Sequence, residues 1–333
     1  MSDKKFGILG SGSWATALAK MLCENKEEIN WFVRKPSTIN YFLKHHHNKD
    51  YLTSVNFNLD QLNLSSDANQ VVEQSDVLII AIPSAFLGKT LDTITVSFDN
   101  KLVFNAVKGI LPKNQKLVGE HFHDVVGLNL DQIGVITGPC HAEEVALERL
   151  SYLTIACSEI KNAKVMAKAL SCDYIKCKTS NDIIGTEYAA VLKNIYAIAA
   201  GIAHGLGYGD NFQSVLMSNA IREMKRFIKK RYQLKRNIND SAYLGDLLVT
   251  GYSNFSRNRF FGNMIGKGYT VKSAMMEMNM IAEGYYATES AYFITKEDGK
   301  KKAKTPIINA VYKILYKNAD PKSTFEKLTF KLN

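Results

Sequence analysis

The sequence predicts a two-part chain, an α/β half built on an open parallel sheet followed by an all-α half. Three observations carry this expectation. A short apolar β run, a glycine turn and a helical stretch open the chain between Lys4 and Cys23, and strand-like runs then recur as far as Thr179. From Gly185 onward no strong alternating run appears, and the pattern is helical. The boundary is expected near 180–186, giving domains of 1–182 and 183–333. With 333 residues and 46% hydrophobic content, each half is long enough to bury its own core.

Lys4 to Leu9 reads as the first strand, Gly10-Ser11-Gly12-Ser13-Trp14-Ala15 as a turn, and Thr16 to Cys23 as a helix. The spacing is G-x-G-x-x-A. In the dinucleotide-binding form of this turn the first glycine makes the tight bend and the second lets a pyrophosphate approach the backbone. The third small residue lets helix and strand pack closely. Phosphate then sits at the helix amino terminus, where backbone N–H groups and the helix dipole favour an anion. A purely structural turn is the alternative, but the strand–turn–helix context is the one a Rossmann-type site requires.

The second strand, Ile29 to Val33, ends in Arg34-Lys35 rather than the acidic residue that would bind a ribose 2′-hydroxyl. Two cations there could neutralise a 2′-phosphate, so NADP is expected to be accepted as well as NAD; two solvated surface cations are the alternative. Residues 44–63 look like a long polar connection. Val77–Ile82 is the most strand-like run and stops at Pro83-Ser84. Lys101–Ala106 leads into Val107-Lys108-Gly109-Ile110, and Ile133–Thr137 leads into Gly138-Pro139-Cys140-His141-Ala142. Ligands of an open α/β sheet bind beyond the carboxyl ends of the strands, which is where Lys108 and the 138–142 turn fall. Leu153–Cys157 and Tyr174–Thr179 read as two more strands, with a helix from Asn162 to Leu170 between them.

In the second half, Tyr188 to Ala203 is apolar on nearly every helical face, as a core helix is. Lys193 and Asn194 interrupt it. A buried ammonium costs several kcal/mol unless it is paired or loses its proton. A lysine so placed is either an acid–base group with a lowered pKa or an edge residue that snorkels to water. A polar segment follows at Gly245-Asp246-Leu247-Leu248-Val249-Thr250 and Ser256-Arg257-Asn258-Arg259. Arg257 offers forked donors suited to a phosphate, and Asp246 could be the partner a buried Lys193 needs. A helix terminus with a solvated arginine pair is the competing reading.

Charge is uneven. Residues 1–180 hold 19 Lys+Arg against 19 Asp+Glu, and 181–333 hold 23 against 13. A basic half can attract a nucleic acid, an acidic membrane face or a small anion. No nucleic-acid-binding module is present, and Arg222–Arg236 and Lys296–Lys304 read most simply as solvated faces. Cys23, Cys140, Cys157, Cys172 and Cys177 form no C-x-x-C pair and suit reduced thiols. His45, His46 and His47 are adjacent, a poor spacing for a metal site, so no metal is expected. Neither an export signal nor a membrane span is supported, and the expected location is cytoplasmic.

Taken together, the motifs GSGSWATALA at 10–19, VKGI at 107–110, GPCHAEEV at 138–145, YAAVLKNIYAIAAGIAHGLGYGDN at 188–211, LGDLLVT at 244–250, SRNRFFG at 256–262 and IAEGYYAT at 281–288 resemble the NAD(P)-dependent glycerol-3-phosphate dehydrogenases of bacterial biosynthetic type. The resemblance implies reduction of dihydroxyacetone phosphate to sn-glycerol 3-phosphate, supplying glycerophospholipid synthesis, with Lys193 as general acid/base and Asp246 holding it. It implies substrate contacts from Lys108, Gly138, Cys140, Asp246, Ser256, Arg257 and Asn258, with Asn194 and Thr250 close by. It further implies cofactor contacts from Gly10, Gly12, Ser13, Trp14, Arg34, Lys35, Lys108, Ala142, Arg257, Ile281 and Glu283. A homodimer is compatible with it. Three departures stand out: Ala15 where glycine is more frequent, Cys140 where serine is usual, and Tyr243-Leu244 where small residues are common. A β-hydroxyacid dehydrogenase and a non-catalytic NADP-binding sensor remain as other readings.

Overall fold

The computed structural model describes residues 4–278, 282–297 and 303–333. The chain divides into two compact units, Met1–Val107 with Lys116–Ile183, and Lys108–Gln115 with Ile184–Asn333.

The first unit opens with β1 (Phe6–Leu9), buried at every position, and α1 (Ser13–Glu24), whose alanines and leucines face inward. β2 (Ile29–Phe32) follows, then α2 (Pro36–His45), which starts on a proline and stops at His46, left-handed with φ 61°. Next come β3 (Leu62–Ser65), α3 (Ala68–Glu73), β4 (Val77–Ile80), α4 (Ser84–Leu91) and β5 (Leu102–Asn105). Lys108–Gln115 then contributes β6 (Ile110–Leu111) to the second unit. The chain returns with β7 (Lys116–Leu117), α5 (Val118–Asp124), β8 (Ile133–Thr137), α6 (Ala142–Ala146), β9 (Ser151–Cys157), α7 (Ile160–Leu170) and β10 (Ile175–Ser180).

Among the described residues the main sheet has the order β10-β9-β8-β5-β4-β1-β2-β3. β1 lies between β2 and β4 with Leu9 opposite Phe32 and Ile80, so the glycine turn leaves the middle of the sheet at the carboxyl ends of its strands. One side is packed by α1 and by an aromatic cluster in which Trp31 meets Phe42 at 5.4 Å and Phe57 at 5.7 Å between ring centroids. Burying a large aromatic or aliphatic side chain contributes roughly 1.5–3 kcal/mol, so these rings are principal holds on this edge of the sheet.

Three features differ from the sequence expectation. The sheet is not wholly parallel, because β9 runs antiparallel to β8. The connection over 138–150 holds only the five-residue α6, near the shortest that a parallel crossover needs and without the long helix that such crossovers usually carry. The polar connection expected over 44–63 ends in β3, paired in parallel with β2, and α2 occupies 36–45 just before it. β3 is a half-exposed edge strand of alternating Leu and polar residues, too short to stand out by periodicity.

In the second unit, α8 (Ile183–Gly205) runs buried along almost its whole length. It is followed by α9 (Asp210–Arg231), a single π turn at Ser241–Gly245, α10 (Asp246–Tyr252), α11 (Arg257–Gly266), α12 (Val271–Glu277), α13 (Glu283–Glu297), α14 (Pro306–Lys317) and α15 (Pro321–Thr329). α8 and α11 meet backbone to backbone. A Cβ on Gly201 would come within 2.0 Å of Arg259 O, and one on Gly262 within 2.1 Å of Ile198 O. The amino end of α14 has no cap of its own. Glu223, buried on α9, supplies it by accepting from the N–H groups of Ile307 at 2.8 Å and Ile308 at 2.9 Å.

Candidate active site

In the first unit the glycine turn has the shape of a phosphate cradle. Gly10 sits at φ +125°, and a Cβ there would lie 2.5 Å from Ala81 O, so the turn itself requires glycine. Its carbonyl accepts the indole N–H of Trp31 at 2.6 Å, which ties the bend to β2. Gly12 is different: a Cβ there would meet nothing within 4 Å. Internal packing does not demand this glycine, and its bare Cα leaves room for a group from outside to approach the chain. α1 begins at Gly12 with no side-chain cap and no acidic residue in its first turn, which keeps the dipole's positive end available to an anion. Ala15, the third small residue, is fully buried. These residues fit the pyrophosphate of a dinucleotide. Ser13 is buried and Trp14 half-buried beside them.

Arg34 and Lys35 are exposed just beyond β2, next to β1 in parallel register, where the far ribose of a nucleotide on the glycine turn would lie. Gly138 follows β8 at φ +119°, its Cα held close to Tyr152 O. Cys140 packs in the apolar core of this unit, and Ala142 opens α6.

In the second unit the lysine cluster is concentrated. Lys193, only 3% exposed, donates from its ammonium to Asp246 Oδ1, and Asp246 is 1% exposed. Burial rules out the snorkelling alternative. Asp246 stands where the π turn passes into α10, a widening of the helix that aims its carboxylate inward. Thr250 Oγ1 donates back to Asp246 O at 2.7 Å within α10, and Gln213 of α9 donates to Gly251 O at 3.3 Å, which ties α10 to α9. Asp246 Oδ2 is buried with no hydrogen-bond partner, an acceptor in need of a donor.

Burial drives the Lys193 pKa down, the Asp246 carboxylate opposes this, and the nearby Lys108 ammonium adds to the fall, bringing it from 10.5 to about 7. Lys108 reaches this cluster because Asn194 Nδ2 donates to its carbonyl at 3.0 Å. An amine that exchanges its proton near neutrality, next to a carboxylate and a second cation, is equipped for acid–base work on an oxygen that becomes negative.

The polar residues opening α11 divide their duties. Ser256 Oγ caps the helix by accepting from Arg259 N at 3.3 Å. Asn258 Oδ1 accepts from Gly284 N at 2.9 Å, which turns its Nδ2 donors the other way. Arg257, half-buried, is the first residue of α11. Gly284 packs so tightly that a Cβ would lie 2.6 Å from Asn194 O, so the start of α13, with Glu283, is fixed against the lysine helix. Ile281 lies outside the described residues.

Lys108, Lys193, Asn194, Asp246, Thr250, Ser256, Arg257, Asn258 and Glu283 thus belong to the second unit, and Gly10, Gly12, Ser13, Trp14, Arg34, Lys35, Gly138, Cys140 and Ala142 to the first. The sequence reading missed Gln213, the π turn and the glycine crossing of α8 on α11. The last had a signal in the four-residue spacings Gly201/Gly205 and Gly262/Gly266. Among the described residues no group of His, Cys, Asp or Glu could hold a metal ion, and no helix is long and apolar enough to cross a membrane.

Comparison with known proteins agrees with this geometry. Residues 5–163 match the model of the NAD-dependent glycerol-3-phosphate dehydrogenase N-terminus and 182–326 that of the C-terminus. The chain is 32% identical to the glycerol-3-phosphate dehydrogenase [NAD(P)+] of Staphylococcus haemolyticus over 97% of both chains. It is 32% identical to that of Limosilactobacillus reuteri over 98% of this chain and 96% of the relative. A crystal structure of glycerol-3-phosphate dehydrogenase from Coxiella burnetii superposes with a TM-score of 0.89 at 26% identity, covering 98% of each chain. The chain belongs to the NAD-dependent glycerol-3-phosphate dehydrogenase family.

Proposed function

We propose that this protein reduces dihydroxyacetone phosphate to sn-glycerol 3-phosphate with NADPH or NADH, and that Lys193 delivers the proton. The observation that carries the mechanism is the buried pair of Lys193 and Asp246. The Gly10–Gly12 turn would hold the pyrophosphate of the dinucleotide and Arg34 and Lys35 the ribose at its adenine end, and the bound cofactor would supply a hydride from its reduced nicotinamide. As the ketone oxygen gains charge, the Lys193 ammonium stabilises it and gives up its proton, leaving an alcohol and a neutral amine. Asp246 holds the amine through Oδ1, and its unpartnered Oδ2 suits a substrate hydroxyl. Arg257 and the Nδ2 donors of Asn258 suit the phosphate, fixing the molecule by the end that does not react.

In this reading 1–182 is the dinucleotide domain and 183–333 the substrate and catalytic domain, with Lys108 serving the latter. Gly138, Cys140 and Ala142 contribute backbone or thiol contacts, and Ser13, Trp14, Ile281 and Glu283 cofactor contacts. The proposed location is the cytoplasm, and a homodimer is compatible with this reading. The test is absorbance at the reduced-nicotinamide band with dihydroxyacetone phosphate and each cofactor in turn. Oxidation of both cofactors is expected, with the lower KM for NADPH. No turnover with either would favour a sensor, and turnover of phosphate-free hydroxyacids instead would favour a β-hydroxyacid dehydrogenase.

A further inference from the structure

The basic run at the end of α9 takes no part in the site. Eight of the fifteen residues in Arg222–Arg236 are Lys or Arg. From Asn211 to Arg236 the sole carboxylate is Glu223, which is buried and committed to the N–H groups of Ile307 and Ile308. The helix is strictly two-faced here. Ala220, Met224, Phe227 and Ile228 are buried, while Arg222, Lys225, Lys229 and Lys230 are exposed on the other side with half-buried Arg226 among them. Arg226 Nε donates to Lys304 O at 3.2 Å, which brings an exposed lysine of a separate segment to the same edge. Tyr232, 39% exposed, lies just past the helix end. Among the described residues Arg222, Lys225, Lys229 and Lys230 form no ion pair.

A surface of like charges without local counter-charges repels itself, and the repulsion is relieved only by ions or by an anionic partner. The geometry favours a plane over a nucleic acid. α9 lies on its unit by its apolar side, so it does not stand out to enter a groove, and no aromatic alternates with the cations as a stacking platform. Long flexible cations with a tyrosine at the rim match the headgroup layer of a bilayer, where an amphipathic ring has one end apolar and the other wet.

We infer that the α9 face formed by Arg222, Lys225, Arg226, Lys229 and Lys230, with Tyr232 at its edge, docks this protein reversibly on an anionic lipid surface. The inference goes beyond the dehydrogenase reading and stands or falls without it. The test is co-sedimentation of the full chain with vesicles of phosphatidylglycerol and phosphatidylcholine in equal parts, against phosphatidylcholine alone. Binding is expected to the mixed vesicles only, at about 0.1 M salt, with release at about 0.5 M. The combined variant Arg222→Gln, Lys225→Gln, Lys229→Gln should lower partitioning on the order of 100-fold, about five-fold per cation, with Tm and turnover unchanged. The matched control Lys161→Gln, Lys164→Gln, Lys168→Gln removes the same charge from exposed positions of α7 and should keep its binding. Equal loss in both variants, binding to neutral vesicles, or tighter retention of duplex DNA than of vesicles at the same salt would each overturn it.

Discussion

The two units prepare for their ligands in opposite ways. In the first, the prepared surface is backbone: a glycine at φ +125°, a second glycine whose missing side chain faces open space, and an uncapped helix end. In the second, it is side chains: an ammonium and a carboxylate sealed into a helical core at 3% and 1% exposure. The first arrangement costs little in the absence of ligand, because nothing charged is taken out of water. The second sets a lowered lysine pKa and an unpartnered carboxylate oxygen in a core, and the helices around them hold that cost. Binding can be supplied by shape at a surface, whereas proton delivery requires a group whose affinity for its proton has been altered by burial.

The contrast is broken most severely at Lys193. Lys193→Ala should lower kcat by about 10³-fold or more, while dinucleotide affinity, measured by quenching of protein fluorescence, stays within about two-fold. Near-normal turnover would remove Lys193 from its role, and loss of cofactor binding would show that the two preparations are not separate. The glycine turn offers a sharper test within one motif. Gly12→Val should weaken cofactor binding by about 100-fold, roughly 2.7 kcal/mol, with Tm nearly unchanged, because its side chain enters space that the protein leaves open. Gly10→Ala should lower Tm as well, from the clash with Ala81 O and a backbone conformation costing about 1–3 kcal/mol.

A smaller effect is expected where the first unit does use side chains. Arg34→Ala with Lys35→Ala should raise KM for NADPH by about 10-fold, one or two charge-assisted contacts to a 2′-phosphate, and leave KM for NADH almost unaltered. Equal change for both cofactors would reassign these cations to the solvated surface.

The smallest effects are in stability against pH, and they run in opposite directions. The Lys193 pKa is lowered in the fold, so between about 7 and 10.5 the unfolded chain holds more protons and this lysine's contribution to stability rises with pH. Burial pushes the Glu223 carboxyl up from 4.5 to about 8, against the Ile307 and Ile308 N–H groups. Its contribution is therefore present below 4.5 and is lost as pH climbs to about 8. Thermal unfolding of Glu223→Gln should show a flatter Tm profile across 4.5 to 8 than the parent. An unchanged slope would mean that another group sets it.

The glycine turn was legible in the sequence because its chemistry depends on three neighbouring positions and on local order of elements. Lys193 was legible as an anomaly, a cation in a stretch otherwise apolar. Asp246 could be named as its partner only with an alternative beside it, because a pair 53 residues apart leaves no local trace. The roles of Ser256 and Asn258 were less visible still. Both sit at the amino end of α11, yet one oxygen of each is spent on the fold itself, capping Arg259 N and holding Gly284 N. β3 escaped because a four-residue edge strand shows little alternation, and the reversal of β9 because the direction of pairing leaves no trace in periodicity.

The crossing of α8 on α11 has one further consequence. Because main chain touches main chain at Gly201 and Gly262, the spacing between the backbone that carries Lys193 and the amino end of α11 is set by atomic radii. The pair of helices acts as a fixed caliper. With the roles proposed for Lys193 and Arg257, a phosphorylated ketone with one more carbon between its ends should fit these jaws poorly, and two residues that carry no side chain would set that selectivity.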